Sequence, residues 1–160
     1  MQTIGVLGCG LMGAGIAQVS AAAGVRTIVL EVNDAVLARG LARIEKFLAG
    51  GVEKGKMTAA EKARILSHLS GTTSYGDLKD CDLVIEAIVE NVDAKRQAYA
   101  AVEGVVGPEC LLASNTSGLS ITKLSEVLPE EIKPRFCGIH FFNPPRYMAL
   151  VELINTPTTR

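Results

Sequence analysis

His140 closes the apolar stretch Phe136-Cys137-Gly138-Ile139, and Glu152 lies twelve residues further on, inside Leu150-Val151-Glu152-Leu153-Ile154. An imidazole titrates near neutrality, so it can take a proton from a substrate oxygen and return it in the reverse direction. A carboxylate in the middle of an apolar strand needs a partner. If the chain turns at 143–148 and returns antiparallel, Glu152 comes beneath His140. There it would fix the tautomer and stabilise the imidazolium, as the acidic member of a triad does. Between the two, Phe141-Phe142-Asn143-Pro144-Pro145 is stiffened by its prolines and barred from helix. A histidine alone at a strand end reads as a hydrogen-bonded core residue; the spacing to Glu152 is what favours a dyad. His68, within an amphipathic helical stretch, reads as a surface residue.

Removing a proton from an alcohol oxygen accomplishes oxidation only when a hydride also leaves carbon, and the first residues of the chain are built to hold a hydride carrier. Gly8-Cys9-Gly10-Leu11-Met12-Gly13 closes the apolar run Ile4-Gly5-Val6-Leu7 and opens a small-residue helix. In a strand–turn–helix unit, Gly8 permits the tight turn, Gly10 lets backbone approach a diphosphate, and Gly13 allows close helix packing. The helix start, at Leu11 and Met12, offers free N–H groups and the positive end of a dipole. A second apolar run, Thr27-Ile28-Val29-Leu30, ends in Glu31. A carboxylate there accepts from the adenosine ribose hydroxyls and repels a 2′-phosphate, which argues for NAD over NADP. Arg26 and Arg39 lie nearby but not beside Glu31.

Further along, Ser114-Asn115-Thr116-Ser117-Gly118 follows Leu111-Leu112-Ala113, which brings its polar groups to the same sheet edge as Gly8 and His140. Ligands bind at that edge in open α/β sheets. Ordinary turn chemistry accounts for such a run equally well. Lys54 and Lys56 lie in a loop, where they are either solvated charge or a contact to a phosphorylated substrate handle. Cys9, Cys81, Cys110 and Cys137 stand singly, without CxxC pairs or histidines at ligand spacing, so no metal site is expected and the thiols read as free and buried. That usage suits a reducing compartment.

The elements that must position these residues alternate in type. Strands are expected near 3–7, 26–31, 82–86, 110–114, 136–141 and 150–154, and helices fill the gaps, the pattern of a parallel sheet covered on both faces. Residues 12–23 are small and alanine-rich. Over 34–49, Leu37, Leu41, Ile44 and Leu48 form an amphipathic stripe that Gly50-Gly51 is expected to end. Thr58 with Glu61 reads as a capping box opening a helix to about Leu69. The two helices between 34 and 69 form a hairpin insertion before the third expected strand. Asn91 caps a helix over 92–106, with Ala98, Tyr99, Val102, Val105 and Val106 on one face, and Ser120 caps a short helix to about Leu128.

With 48% hydrophobic residues among 160, the chain can bury the core of one domain. Sixteen basic against seventeen acidic residues leave no field to attract nucleic acid or an anionic membrane, so small molecules are the expected partners. No basic leader or long apolar segment is present in these residues, and a cytoplasmic location is expected.

GCGLMGAGIAQ, VIEAIVENVDAK, ASNTSGLSI and GIHFFNPPRYMALVELI, in this order and spacing, closely resemble the NAD-binding domain of L-3-hydroxyacyl-CoA dehydrogenases of fatty-acid β-oxidation. The likeness runs essentially end to end, and the PPRYM variant is similar to the dehydrogenase modules of bifunctional hydratase–dehydrogenase chains. The resemblance implies a Rossmann-type doubly wound fold, oxidation of (S)-3-hydroxyacyl-CoA to 3-oxoacyl-CoA with NAD, and His140 as acid/base with Glu152 orienting it. It also implies that Ser117 contacts the substrate 3-oxygen and the nicotinamide region, that Asn143 places the reacting groups, and that Glu90 and Lys95 contact the cofactor. Lys54 corresponds loosely to a residue touching the CoA nucleotide. Two departures stand out. Gly118 replaces a second serine common after Ser117. The family's helical C-terminal domain, which closes the cleft and mediates dimerisation, is expected to be absent from 1–160, leaving an apolar face for that domain or for a homo-oligomer. The competing expectation is a truncated module that binds NAD without efficient turnover.

Overall fold

The computed structural model describes residues 1–160. Five strands that carry the apolar runs are β1 (Thr3–Leu7), β2 (Arg26–Leu30), β4 (Leu83–Glu86), β5 (Leu111–Ser114) and β6 (Phe136–Phe141). An edge strand β3 (Leu69–Thr72) and a last strand β7 (Val151–Asn155) complete a seven-stranded sheet of order β3-β2-β1-β4-β5-β6-β7. All neighbours are parallel except β6 and β7, which are antiparallel and pair His140 with Glu152. The helices are α1 (Leu11–Ala22), α2 (Asp34–Glu53), α3 (Ala59–Ser67), α4 (Val92–Glu103) and α5 (Ile121–Glu126).

Alternation along the strands divides the core in two. Ile4, Val6 and Val29 pack with Ala14, Ile16 and Ala17 of α1 and with Ile44 and Leu48 of α2. Leu7, Ile28 and Leu30 point the other way, into Tyr99 and Val102 of α4 and Ile121 of α5. The fold is therefore doubly wound, with helices on both faces of a mostly parallel sheet.

The caps are where the side chains place them. Thr58 and Glu61 form a reciprocal capping box, and Asn91 and Ser120 cap α4 and α5 by accepting from Ala94 and Lys123 N–H groups. Three boundaries differ from expectation. The helix over 34–49 runs on through Gly50-Gly51 to Glu53. Its stop is Gly55, at φ +66°, with the Lys56 N–H donating to the Gly51 carbonyl at 2.9 Å and the Gly55 N–H to Val52 at 3.0 Å, a Schellman ending. Residues 69–72, where only a helix end near Leu69 is expected, form β3 beside β2, so the α2–α3 hairpin is the crossover between two adjacent parallel strands. The helix after Asn91 ends at Glu103, and Val106 packs against the core from the turn beyond it.

Candidate active site

The sheet winds outward in opposite senses from β1 and β4, and the crevice outside their carboxyl ends is where such folds bind ligands. Gly8 stands there at φ +92°, and a Cβ on it would come within 2.9 Å of the Ala87 carbonyl. A Cβ on Gly13 would sit 1.9 Å from the Gly8 carbonyl oxygen, so only glycine lets α1 start this close to the turn. At Gly10 a Cβ would meet nothing within 4 Å, which leaves the helix start open on the crevice side. Gly10 is the N-cap and supplies no side-chain cap, and the first turn carries no acidic residue. Uncapped N–H groups at a glycine-lined opening fit a diphosphate.

Two cavities meet at Leu11, Met12, Ala87 and Ile88. One, of about 850 Å³, is mainly apolar and runs past Gly8, Gly10 and Glu31 to Tyr75, Ala98 and Ala101. The other, of about 370 Å³, is more polar and holds Glu86, Glu90, Lys95, Ser117, His140 and Asn143. A dinucleotide laid across the glycine turn would place its adenosine in the first and its nicotinamide in the second. Glu31 follows β2 directly; its Oε1 accepts from the Cys9 N–H at 2.6 Å and its Oε2 from Val32 N–H at 3.1 Å. The carboxylate is thus fixed against the glycine turn at the rim of the larger, apolar cavity.

At the polar end the register of β6 and β7 sets the chemistry. His140 Nδ1 lies 2.8 Å from Glu152 Oε2. A carboxylate only accepts, so Nδ1 carries a proton, and in the neutral imidazole this tautomer leaves the lone pair on Nε2. The Phe142 ring lies against the imidazole with centroids 4.8 Å apart. Asn143, joined to Pro144 by a cis peptide, is exposed at the same mouth.

Ser117 is held by its main chain. Glu90 Oε1 accepts from the Ser117 N–H at 3.1 Å and Glu90 Oε2 from the Thr116 hydroxyl at 2.6 Å. Burial pushes the Glu90 carboxyl up, but these bonds and Lys95 outweigh it and hold the group below its usual 4.5. Lys95 is 1% exposed and donates to Glu86 Oε1 at 2.6 Å, with Glu90 Oε2 3.5 Å away. Glu90 and Lys95 therefore work on the Ser117 turn as well as lining the cavity. Glu86 escaped the reading of site residues from sequence; its signal is a charged residue ending an apolar strand nine residues before Lys95.

A third cavity, of about 530 Å³, opens beside the α2–α3 turn and gathers Arg43, Lys46, Lys54, Lys56 and Arg146 around Phe47 and Tyr147. The Arg146 guanidinium stacks 3.7 Å over the Phe47 ring, and its buried Nε has no hydrogen-bond partner. Lys54 lies here, away from the dyad. The four cysteines are free, and burial pushes the Cys9 and Cys110 thiols up to about 11 and Cys81 to about 12. No group of three metal-ligating side chains is present, and no helix is long and apolar enough to cross a membrane.

A glycine turn at a β1/β4 switch point, beside a histidine–carboxylate pair, is the arrangement of a dinucleotide-binding domain. Residues 3–160 match the family described as 3-hydroxyacyl-CoA dehydrogenase, NAD binding domain, and the chain belongs to that family. It is 43% identical over 159 residues to the fatty acid oxidation complex subunit alpha of Idiomarina loihiensis, covering 99% of this chain and 22% of that protein. Among solved structures it resembles M. tuberculosis FadB2 at 43% identity and a TM-score of 0.95, covering 100% of this chain and 56% of that one. The (S)-3-hydroxybutyryl-CoA dehydrogenase PaaH1 from Ralstonia eutropha follows at 44% and 0.93, with 99% and 56% covered. The chain thus spans about a fifth of the alpha subunits it matches and just over half of these two solved chains.

Proposed function

We propose that this chain is the NAD-binding, proton-transferring half of a dehydrogenase that oxidises (S)-3-hydroxyacyl-CoA to 3-oxoacyl-CoA. The observation that carries the reading is the His140–Glu152 pair, 2.8 Å apart, at the end of a cleft shaped for a dinucleotide. Bound nicotinamide supplies the hydride acceptor. His140 Nε2 takes the hydroxyl proton as the substrate carbon is oxidised, and Glu152 stabilises the resulting imidazolium through Nδ1–H. Ser117 and Asn143, at the cavity mouth, orient the substrate oxygen toward Nε2. Glu31 receives the adenosine ribose and disfavours a 2′-phosphate, which selects NAD.

The basic cavity around Lys54 and Arg146 suits the phosphates of the CoA handle, and Phe47 with Tyr147 offers rings for its adenine. Tyr147, Met148, Leu150 and Leu153 are exposed on and before β7, a face that the helical C-terminal domain of the family would cover. Four free thiols suit a reducing, cytoplasmic setting. A second reading, a module that binds NAD without turnover, is favoured by the openness of the dyad, whose Glu152 side chain is 50% exposed.

The test is NADH formation from (S)-3-hydroxybutyryl-CoA, with NAD binding followed calorimetrically in the same preparation. Turnover is expected, and His140→Ala is expected to lower kcat by about 10²–10⁴-fold while NAD affinity stays unchanged. Binding without turnover establishes the second reading; a His140→Ala variant as fast as the parent removes the mechanism.

A further inference from the structure

Glu86, the last residue of β4, is fully buried, and its neighbours are more than core filling. Its Oε1 accepts from Lys95 Nζ at 2.6 Å and from the Ile88 N–H at 2.8 Å. Its Oε2 accepts from the Ser114 hydroxyl at 2.7 Å, and its main-chain carbonyl from the Asn115 N–H at 2.8 Å. The Tyr99 hydroxyl, 3.4 Å from Oε2, donates more closely to the Ala113 carbonyl at 3.0 Å.

Two carboxylate partners, Ser114 and Lys95, and the main-chain partner Asn115 lead on toward the site. Ser114 Oγ accepts from the Thr116 N–H at 3.2 Å. Lys95 reaches Glu90, which grips the Thr116 hydroxyl and the Ser117 N–H. Asn115 Oδ1 accepts from the Phe141 N–H at 2.9 Å. That last bond matters because the β5–β6 ladder stops at Ser114 and Gly138, so β6 runs on through His140 without β5 beside it. The Asn115 side chain supplies the missing rung immediately after His140.

A buried ion pair adds little stability over apolar residues of the same volume, so its presence here calls for a geometric account. We propose that Glu86 is a positioning residue for the dehydrogenase site, its carboxylate holding the 114–117 turn and, by fixing Ser114, the adjacent Asn115 that supports the His140 end of β6. Glu86 lines the same cavity as Ser117 and His140 but bonds to neither side chain. Its role in catalysis rests on the function proposed above; its role in ordering the turn does not.

The experiment is amide hydrogen exchange by NMR on the parent chain, on Glu86→Gln, and on Glu86→Met combined with Lys95→Met. The double variant removes both charges together and guards against failure of the single variant to fold. Exchange at Thr116, Ser117 and Phe141 is expected to quicken about tenfold or more relative to Val6 and Val29, whose core amides report global opening. Where the chain turns over substrate, kcat is expected to fall about tenfold in Glu86→Gln while the KM for NAD moves less than about twofold. Site amides that quicken only in step with Val6 and Val29 would overturn the proposal, as would an unchanged kcat. A chain without turnover bears on the proposed function alone, and the exchange rates still decide the role of Glu86.

Discussion

Glu86 and Glu90 flank the same ammonium, yet one is sealed and the other has a 45% exposed side chain, and this difference separates what each can do. Glu86 has no water to fall back on, so it needs all its partners at once. Glu90 keeps contact with solvent and can titrate, and its folded-state pKa is lowered. A carboxyl lowered on folding contributes stability above its unfolded value and loses that contribution as pH falls through the folded value. The Glu90 clamp on Ser117 is therefore expected to hold from neutrality down past pH 4.5 and to release only below it. An acid titration followed at the Ser117 amide signal checks this, and Glu90→Gln is expected to abolish that transition. The two carboxylates differ in legibility as well. The dyad of His140 and Glu152 could be read from sequence because a strand period and one turn length fix both residues to one face. Glu86 could not, because its meaning depends on Lys95 turning inward from α4, and a lysine near a helix start ordinarily faces solvent.

Among the elements, α2 does more than cross between strands. Gly40 packs on the glycine turn so tightly that a Cβ there would lie 2.4 Å from Cys9 Sγ and 2.9 Å from its carbonyl oxygen. Arg43, one turn on, donates to that same carbonyl at 3.4 Å. The helix thus braces the turn from outside the fingerprint, and Gly40→Ala is expected to push the two apart. Overpacking of this kind costs about 1–3 kcal/mol, and NAD affinity is expected to fall with it. Urea unfolding and calorimetric NAD titration of the variant measure both effects; full affinity at unchanged stability would show that the contact relaxes freely. Gly40 is unreadable in sequence because it stands inside a helix, where glycine signals only a weakened propensity. The end of α2 departs from the expected stop for a related reason. Gly50-Gly51 resembles a stop, but only Gly55 adopts the left-handed backbone that ends a helix, and a sequence does not display φ. Strand β3 was hidden more completely: Leu69-Ser70-Gly71-Thr72 has no apolar run, and it is a strand because β2 offers an edge and Gly71 lets Leu37 and Leu41 of α2 lie over it. The central strands and their helices were legible because both sheet faces are covered, which makes their apolar runs continuous.

For the molecule as a whole, a formal net charge of −1 conceals a strong local asymmetry. Arg43, Lys46, Lys54, Lys56 and Arg146 converge on one cavity from α2, the turn after it and the segment beyond His140. Net charge would steer no anion to this protein, whereas this cluster would draw one to a single place. The proposed NAD cleft is built differently: its anion site is an uncapped helix start and backbone N–H groups, and the end assigned to adenosine is apolar with one carboxylate. Dipolar and apolar contacts are short-ranged and little affected by salt, while side-chain cations acting over several ångströms are screened as the Debye length shrinks to about 3 Å at 1 M. The two ligands are therefore expected to respond differently to salt. Affinity for the proposed CoA substrate should fall about tenfold or more between low salt and about 1 M, and affinity for NAD should change by less than about threefold. Parallel titrations of acetoacetyl-CoA and NAD across that range make the comparison. Lys54→Ala should flatten the CoA salt dependence without moving that of NAD, because it removes a charge from one cavity and leaves the glycine turn intact. Equal salt slopes for the two ligands would place the CoA handle elsewhere on the molecule, since no other feature of the proposed arrangement ties an anionic ligand to these five cations.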